Sequence, residues 1–381
     1  MTTATSSPAT SGGPINTTQT AIVQTLDVSG TLLPLTVSHA SLVPTIRSPN
    51  HVLVRVLAVA LNPTDHKMTT HFPMPGATTG CDFCGTVVSQ REGGGQPFAL
   101  GTRVCGAVYG YNPEDPHNGA FAEYVVADAR LLLRVPDSWS DLQAAALGGI
   151  GWGTVGLALW CSEALALTSR PGSPAEKQSP VLVYGAGTAT GTMACQLLKL
   201  SGYAPIATAS EASSALAKSY GAIRTATYTS PTCADTIKSL AAPLGPLRHA
   251  LDCITDADSA AVCFGALGRT GGRYACLEAF DEAWRTRRAV RVEVVLGYEM
   301  WGNRVLLGEK ETVYSRPASE EKLKVTIRWA GEMQELLDKG LIEAHPLQEV
   351  GRGWGAIIEG LHMLRNGEVR GRKLVVRIAD S

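Results

Sequence analysis

From Pro180 onward the chain alternates short apolar strands with helix-forming stretches, and few folds accept that pattern. The strands read VLVYG (181–185), APIATA (204–209), TATYT (225–229), HALDCI (249–254) and GRYACLEA (272–279). Between them lie stretches such as ASSALAKSYGA and ADSAAVCFGALG. Repeated strand–helix–strand units pair their strands in parallel and cover both faces with helices, so an α/β, doubly wound parallel sheet is expected. Its first strand runs into YGAGTATG, with glycines at 185, 187 and 191. The spacing is one residue longer than the G-x-G-x-x-G of dinucleotide-binding folds. The physical need is met all the same: Gly185 permits a sharp turn, Gly187 admits a pyrophosphate close to the backbone, and the following helix start offers unpaired N–H groups to an anion. We expect Gly185, Ala186, Gly187, Thr188, Ala189 and Thr190 to hold a cofactor. A purely structural strand-to-helix turn is the plainer alternative, and the strand before and the βαβ unit after argue against it.

The second strand indicates which dinucleotide. NAD-binding domains usually carry Asp or Glu near its end, on the ribose hydroxyls. Here that place is Ser210, with Glu211 one residue later. A small hydroxyl leaves room for a 2′-phosphate, Lys218 can supply positive charge, and Tyr228 can complete the pocket. Lys218 reads equally well as part of a solvated helix face. NADPH is expected over NADH.

The first half reads differently. HVLVRVLAVALN (51–62), CGTVVS (84–89), TRVCGAVYG (102–110) and AFAEYVVAD (120–128) are strand-like and separated by glycine and proline clusters, which suggests an irregular β-barrel. Helical stretches follow from Ser140, then a polar, proline-rich loop, TSRPGSPAEKQSP (168–180). Helices over 320–339 and near 354–365 and a last strand, KLVVRI (373–378), close the chain. Residues 1–20 are rich in Ser, Thr, Gly and Pro and are expected to be a disordered tail.

Composition narrows the function. With 381 residues and 45% hydrophobic content the chain can form two domains with real cores. A formal net charge of -1 gives no basic surface for nucleic acid. Nine scattered cysteines, no Lys or Arg before Arg47, and no uninterrupted apolar run near the roughly 18 residues of a membrane span lead us to expect reduced thiols and a cytoplasmic protein.

Several segments in order, AVALNPTDHKM (58–68), GCDFCGTVV (80–88), GTRVCG (101–106), GAFAEYVV (119–126), VLVYGAGTATG (181–191) and GEVRGRKLVVRI (367–378), together resemble the medium-chain dehydrogenase/reductase superfamily. NPTDHKM, TVGLAL, HALDCIT and GRKLVVR narrow the likeness to stand-alone, trans-acting enoyl reductases of fungal polyketide pathways, the lovastatin-pathway type. The resemblance implies a GroES-like barrel catalytic domain over 21–167 and 315–381, a linker over 168–180 and a Rossmann NADPH domain over 181–314. It implies reduction of a double bond in an acyl chain carried by a polyketide (or polyketide–nonribosomal peptide) synthase. It assigns Lys67 and Thr154 to the catalytic centre and Thr64, Asp65, His66, Lys67, Leu277, Glu278, Glu368 and Val369 to the cofactor. Val155, Gly156, Leu157, Ala158, Leu159, Trp160 and Cys161, with Thr154, would line the substrate side; Gly297, Tyr298, Glu299, Met300 and Trp301 would form the far wall. It also implies a monomer.

Zinc-dependent relatives carry Cys where this chain has NPTDHKM and Gly-His-Glu where it has Gly80-Cys81-Asp82. A catalytic zinc needs about three protein ligands, so no metal is expected. Hydride transfer then leaves negative charge on a thioester oxygen, which needs a donor or cation, and a proton must reach the α-carbon. Arg285, Arg287 and Arg288 are candidates for contacting an acidic carrier protein. A quinone or alkenal reductase acting on free small molecules, or a non-catalytic cofactor-binding accessory of a synthase, remain open alternatives.

Overall fold

The computed structural model describes residues 16–26, 33–91, 98–307 and 311–378. A hairpin of β1 (Thr18–Gln24) and β2 (Leu35–Leu42) begins it. Residues 18–20, expected in the tail, therefore belong to a strand: Gln19 reaches the Leu42 carbonyl and the Tyr124 amide. The rest of that expectation, residues 1–15, lies outside the described residues.

The first lobe is built on β3 (His51–Ala60), a ten-residue strand with seven buried positions. Helix α1 (Pro63–His71) follows, started by proline at its first position. Then come β4 (Asp82–Gln90), β5 (Arg103–Ala107), β6 (Tyr124–Asp128) and β7 (Leu133–Arg134). Helix α2 (Asp141–Leu147), capped by Ser140, packs on this sheet, and α3 (Ile150–Trp160) leads away from it. The run Asp141–Trp160 is long and apolar enough to cross a membrane, but it breaks at Gly148 and lies mostly buried inside the fold. Helix α3 is apolar on all sides and so needs cover all round. It packs along the cofactor lobe as well as the first.

The second lobe alternates strand and helix up to its last two strands, which have only the short 3₁₀ turn Glu282–Trp284 between them: β8 (Pro180–Tyr184), α4 (Ala189–Leu200), β9 (Ala204–Ala209), α5 (Glu211–Ser219), β10 (Arg224–Thr227), α6 (Cys233–Ala241), β11 (His249–Asp252), α7 (Ala257–Ala266), β12 (Gly272–Cys276) and β13 (Val290–Val294). All six strands are parallel, in the order β10-β9-β8-β11-β12-β13. Every residue of β8 and β9 is buried, as strands covered on both faces require. The order reverses between β8 and β11, and ligands of such sheets bind outside the carboxyl ends at that switch point.

Helix α8 (Glu320–Asp338) lays Trp329, Ala330, Met333, Leu336 and Leu337 against the core. Trp329 stands over Gly156 of α3 and donates to the Trp152 carbonyl at 2.9 Å. The chain then returns to the first lobe through β14 (Leu347–Arg352), α9 (Trp354–Arg365) and β15 (Lys373–Arg377), completing the order β14-β15-β3-β4-β5-β7, with β6 on β3. The proline-rich stretch 168–180 is anchored at several points: Ser169 accepts from Trp160, and Arg170 stacks over the Trp160 ring at 4.8 Å.

Candidate active site

The glycine turn follows β8. Gly185 adopts φ +79°, and a Cβ on Gly191 would meet the Gly185 carbonyl at 2.4 Å, so turn and helix touch backbone to backbone. Thr188 caps α4, accepting from the Gly191 amide at 3.0 Å and donating to the Gly185 carbonyl at 2.9 Å. The Ala186 amide is used inside the fold, on Thr208, and the Thr188 amide on Gly185. The first-turn amides of Ala189 and Thr190 have no intrahelical acceptor, as at any helix start. A dinucleotide pyrophosphate fits this cradle, where glycines at 185, 187 and 191 keep the backbone open to it.

Around it the other carboxyl ends converge. Ile254, just past β11, is the side chain a Cβ on Gly185 would strike. Asp252 organises that turn by accepting from the Ile254 and Thr255 amides, Ser259 and Tyr274. Thr255 in turn receives the Leu277 amide at 3.0 Å. Ile254 and Thr255 were not among the expected site residues, although HALDCIT marked the strand. Ser210 caps α5 by accepting from Ser213, and Glu211 opens the helix exposed. Lys218 lies in the last turn of α5, about 12 Å of helix away from Ser210, so the fold does not bring these two together at their backbones. Tyr228 stands exposed beyond β10.

Across the crevice, α1 presents Thr64 and Lys67 on one face, three residues apart. Lys67 forms an ion pair with Glu278, which also receives the Tyr314 hydroxyl at 3.4 Å. Thr64 shares a 2.8 Å hydrogen bond with the Tyr298 hydroxyl. His66 is half-buried, and burial first, then the Lys67 and Arg365 cations, push it down to about 4. Tyr298 belongs to the short 3₁₀ turn Gly297–Trp301 and stacks on Tyr109 at 4.2 Å. A Cβ on Gly297 would lie 2.5 Å from Thr154 Oγ1, so the turn and α3 are in direct contact beside the crevice.

That contact bears on the expected substrate walls. A helix offers one face to any neighbour. Gly156 faces Trp329, Trp160 packs on Trp329 and Arg170, and Val155, Leu157, Ala158 and Leu159 are core. Leu157 and Cys161 border a small, half-open cleft that also touches Glu163, Ala164, Glu293, Val295, Glu299 and Lys322. Glu299 turns into that cleft and pairs with Lys322; Met300 is fully buried against Gly153, and Trp301 is half-buried. Glu368 is exposed and holds Asn366, and Val369 packs on the barrel core. Arg287 donates to the carbonyls of Phe264, Leu267 and Gly268 at the end of α7, and Arg285 pairs with Glu282. Both therefore hold the fold's own groups, and of the three arginines Arg288 alone has no hydrogen bond or ion pair among the described residues.

Beneath α1 lies a buried polar network. Asp82 Oδ1 accepts the Gly149 and Ile150 amides at 2.8 and 2.9 Å, fixing the start of the helix that carries Thr154. Its Oδ2 accepts from Asn62 at 2.9 Å and from Lys373 at 3.1 Å, and Lys373 also donates to Asn62. Asp65 is buried nearby and accepts the Asn62 amide at 2.7 Å. Nothing in the spacing of the sequence joins Asp82 to Lys373, 291 residues apart. Among the described residues, no three His, Cys, Asp or Glu side chains are placed to share a metal ion. All nine cysteines are unpaired.

Fold and crevice define a nicotinamide-dependent oxidoreductase of the medium-chain type. Residues 48–137 match the family model described as the alcohol dehydrogenase GroES-like domain. Trans-enoyl reductase calK of Penicillium decumbens is 55% identical over 94% of this chain and 98% of its own length. Trans-enoyl reductase sthE of Phaeosphaeria nodorum is 53% identical over 95% and 98%. Among solved structures, CurK enoyl reductase superposes with a TM-score of 0.68 at 16% identity, over 95% of this chain and 99% of that one. A putative zinc-dependent alcohol dehydrogenase of Rhizobium etli gives 0.72 at 21%, over 96% and 99%; at these identities both speak for the fold alone. The chain belongs to the trans-enoyl reductases of fungal secondary metabolism, within the medium-chain dehydrogenase/reductase superfamily.

Proposed function

We propose that this chain reduces the α,β double bond of an acyl thioester held on the carrier protein of a polyketide, or polyketide–nonribosomal peptide, synthase, as a cytoplasmic monomer using NADPH. The observation that carries the reading is the Lys67–Glu278 pair facing Thr64, in a chain 55% identical to a trans-enoyl reductase over nearly its whole length.

NADPH, when bound, supplies a hydride to the β-carbon. Ala189, Thr190 and the glycine turn hold the pyrophosphate; Leu277, Glu278, Glu368 and Val369 are the proposed neighbours of the nicotinamide half, with Thr64 to Lys67. Ser210 in place of an acidic residue favours a 2′-phosphate, with Glu211, Lys218 and Tyr228 at the rim. As charge grows on the thioester oxygen, a cation or hydroxyl stabilises it. Lys67 is the cation within the crevice, held by Glu278 until substrate draws it over. Thr154, against Gly297, orients the carboxamide or the thioester. On α3, only the stripe through Thr154, Leu157 and Cys161 can continue one wall of the acyl site, since these positions share a helix face.

The test is oxidation of NADPH by the purified protein with a crotonyl- or longer enoyl-pantetheine thioester, beside parallel runs with NADH and with a quinone. Thioester turnover with NADPH and little with NADH is expected. Turnover of the quinone alone would assign the chain to free small molecules instead.

A further inference from the structure

The proposed reaction needs a proton as well as a hydride, and the buried network contains an acid that its structural role does not use up. Asp65 is 1% exposed. Its Oδ2 caps α1 by accepting the Asn62 amide, which is role enough for one oxygen. Its Oδ1 is buried with no hydrogen-bond partner among the described residues. An orphaned carboxylate oxygen in such a place is costly, and a neutral carboxylic acid costs much less, because the proton removes the charge. The charges agree. The Lys373 ammonium is matched by Asp82, and Asp65 has no cation in ion-pair contact among the described residues. Around Asp65 stand Asn62 before α1, Asp82 on β4, Lys373 on β15, the Tyr111 hydroxyl on the Asp65 carbonyl at 3.5 Å, and the Cys81 thiol. Burial, reinforced by the Asp82 charge, pushes the Asp65 carboxyl up to about 7 against the Asn62 amide.

The orphaned carboxyl has a route to the crevice. The Cys81 thiol lies beside it and interacts with its carboxyl. Cys81 Sγ is 3.7 Å from the Tyr298 hydroxyl, which is 2.8 Å from Thr64 Oγ1. Cys81 and Tyr298 are buried, and Thr64 stands on the Lys67 face of α1 at the crevice.

We propose that Asp65 is a proton reservoir, and that Cys81, Tyr298 and Thr64 relay its proton to the α-carbon of the reduced acyl thioester. The proposal rests on the enoyl-reductase reading above. The balance is simple. Two electrons and a hydrogen arrive at the β-carbon as hydride, leaving an enolate. The enolate α-carbon takes the Thr64 hydroxyl proton; Thr64 is refilled from Tyr298, Tyr298 from the Cys81 thiol, and Cys81 from the Asp65 carboxyl. The carboxylate left behind shares its network with Lys373. Water restores the proton along the same path once product leaves.

Two measurements on the full chain test it. The first is infrared absorption of the protein without cofactor, wild type against Asp65→Asn, which keeps an acceptor for the Asn62 amide. A protonated-carboxyl band present in wild type near neutral pH and missing from the variant is expected; identical spectra overturn the reservoir. The second is enoyl-pantetheine reduction in H₂O and D₂O. Tyr298→Phe, Cys81→Ala and Thr64→Val should each lower kcat about 10- to 100-fold and raise the solvent isotope effect, with NADPH affinity within twofold in Tyr298→Phe and Cys81→Ala. Thr64→Ser should restore wild-type behaviour, which a packing role for the Thr64 methyl would not allow. Wild-type kcat and isotope effect in all three breaking variants overturn the relay. If wild type leaves thioesters untouched, the functional reading falls, and with it the relay, while the infrared result still decides whether Asp65 holds a proton.

Discussion

Lys67 and Glu278 form an ion pair across the crevice, one from the barrel lobe and one from the end of a Rossmann strand. Their side chains are 43% and 38% exposed, so the pair adds at most about 1 kcal/mol to folding. Its place suggests catalysis instead. Lys67→Ala should lower kcat/KM for an enoyl thioester by about 100-fold, roughly 2.7 kcal/mol of transition-state stabilisation. Thermal unfolding of the same variant should shift by only a few degrees. An unchanged kcat/KM would remove Lys67 from the chemistry.

Gly297 and Thr154 touch with no room for a methyl group. Gly297→Ala must push the Thr154 hydroxyl from its place or move the 3₁₀ turn. Turnover should fall at least tenfold with cofactor affinity nearly intact. Thr154→Ala frees the space, so the double variant should lose less than the sum of the two single losses. Strict additivity in a double-mutant cycle would show that the contact does not couple the residues.

Gly191→Ala sets a methyl against the Gly185 carbonyl. The expected result is loss of NADPH binding by at least tenfold, read by fluorescence titration, with some loss of stability because the turn and α4 must part. Binding as tight as wild type would show that the cradle is not the pyrophosphate site.

Asp82 and Lys373 are buried to 1% and 7% exposure. Removing one strands the other's charge, so Lys373→Met or Asp82→Leu should each cost about 3–5 kcal/mol in denaturant unfolding. The double variant should cost clearly less than the sum. Because Asp82 also holds the first amides of α3, its loss should disturb the Thr154 environment more than the loss of Lys373.

His345 is buried against Thr192 Oγ1 at 2.9 Å, and burial pushes it down to about 4. The unfolded chain protonates it near pH 6.5 while the folded chain keeps it neutral. Stability from this residue is therefore full above 6.5 and is lost as pH falls toward 4, by about 3 kcal/mol at most. His345→Asn should flatten the acid limb of stability against pH measured by urea unfolding. Asp65 acts with the opposite sign: its raised carboxyl makes stability fall as pH rises from about 4 to 7, so Asp65→Asn should steepen the same limb. Unchanged slopes in both variants would show that neither group titrates as its burial implies.

The alternation after Pro180 and the glycine spacing determined the parallel sheet and the sharp strand-to-helix turn at its first strand, because strand period and helix starts are local or nearly local properties. The NPTDHKM motif likewise pointed to Lys67. Only the tertiary structure decided which of those residues meet. It set Glu278 opposite Lys67, turned most of the Val155–Cys161 block into core because a helix has more than one buried side, and placed Lys218 at the far end of α5 from Ser210. It gave Arg285 and Arg287 partners within the fold. It also closed Asp82 on Lys373 and left Asp65 Oδ1 without a partner among the described residues, 17 residues along the chain from Asp82 but within one buried network. Charges are matched in three dimensions, where desolvation decides their protonation, and residue spacing along the chain carries no record of that.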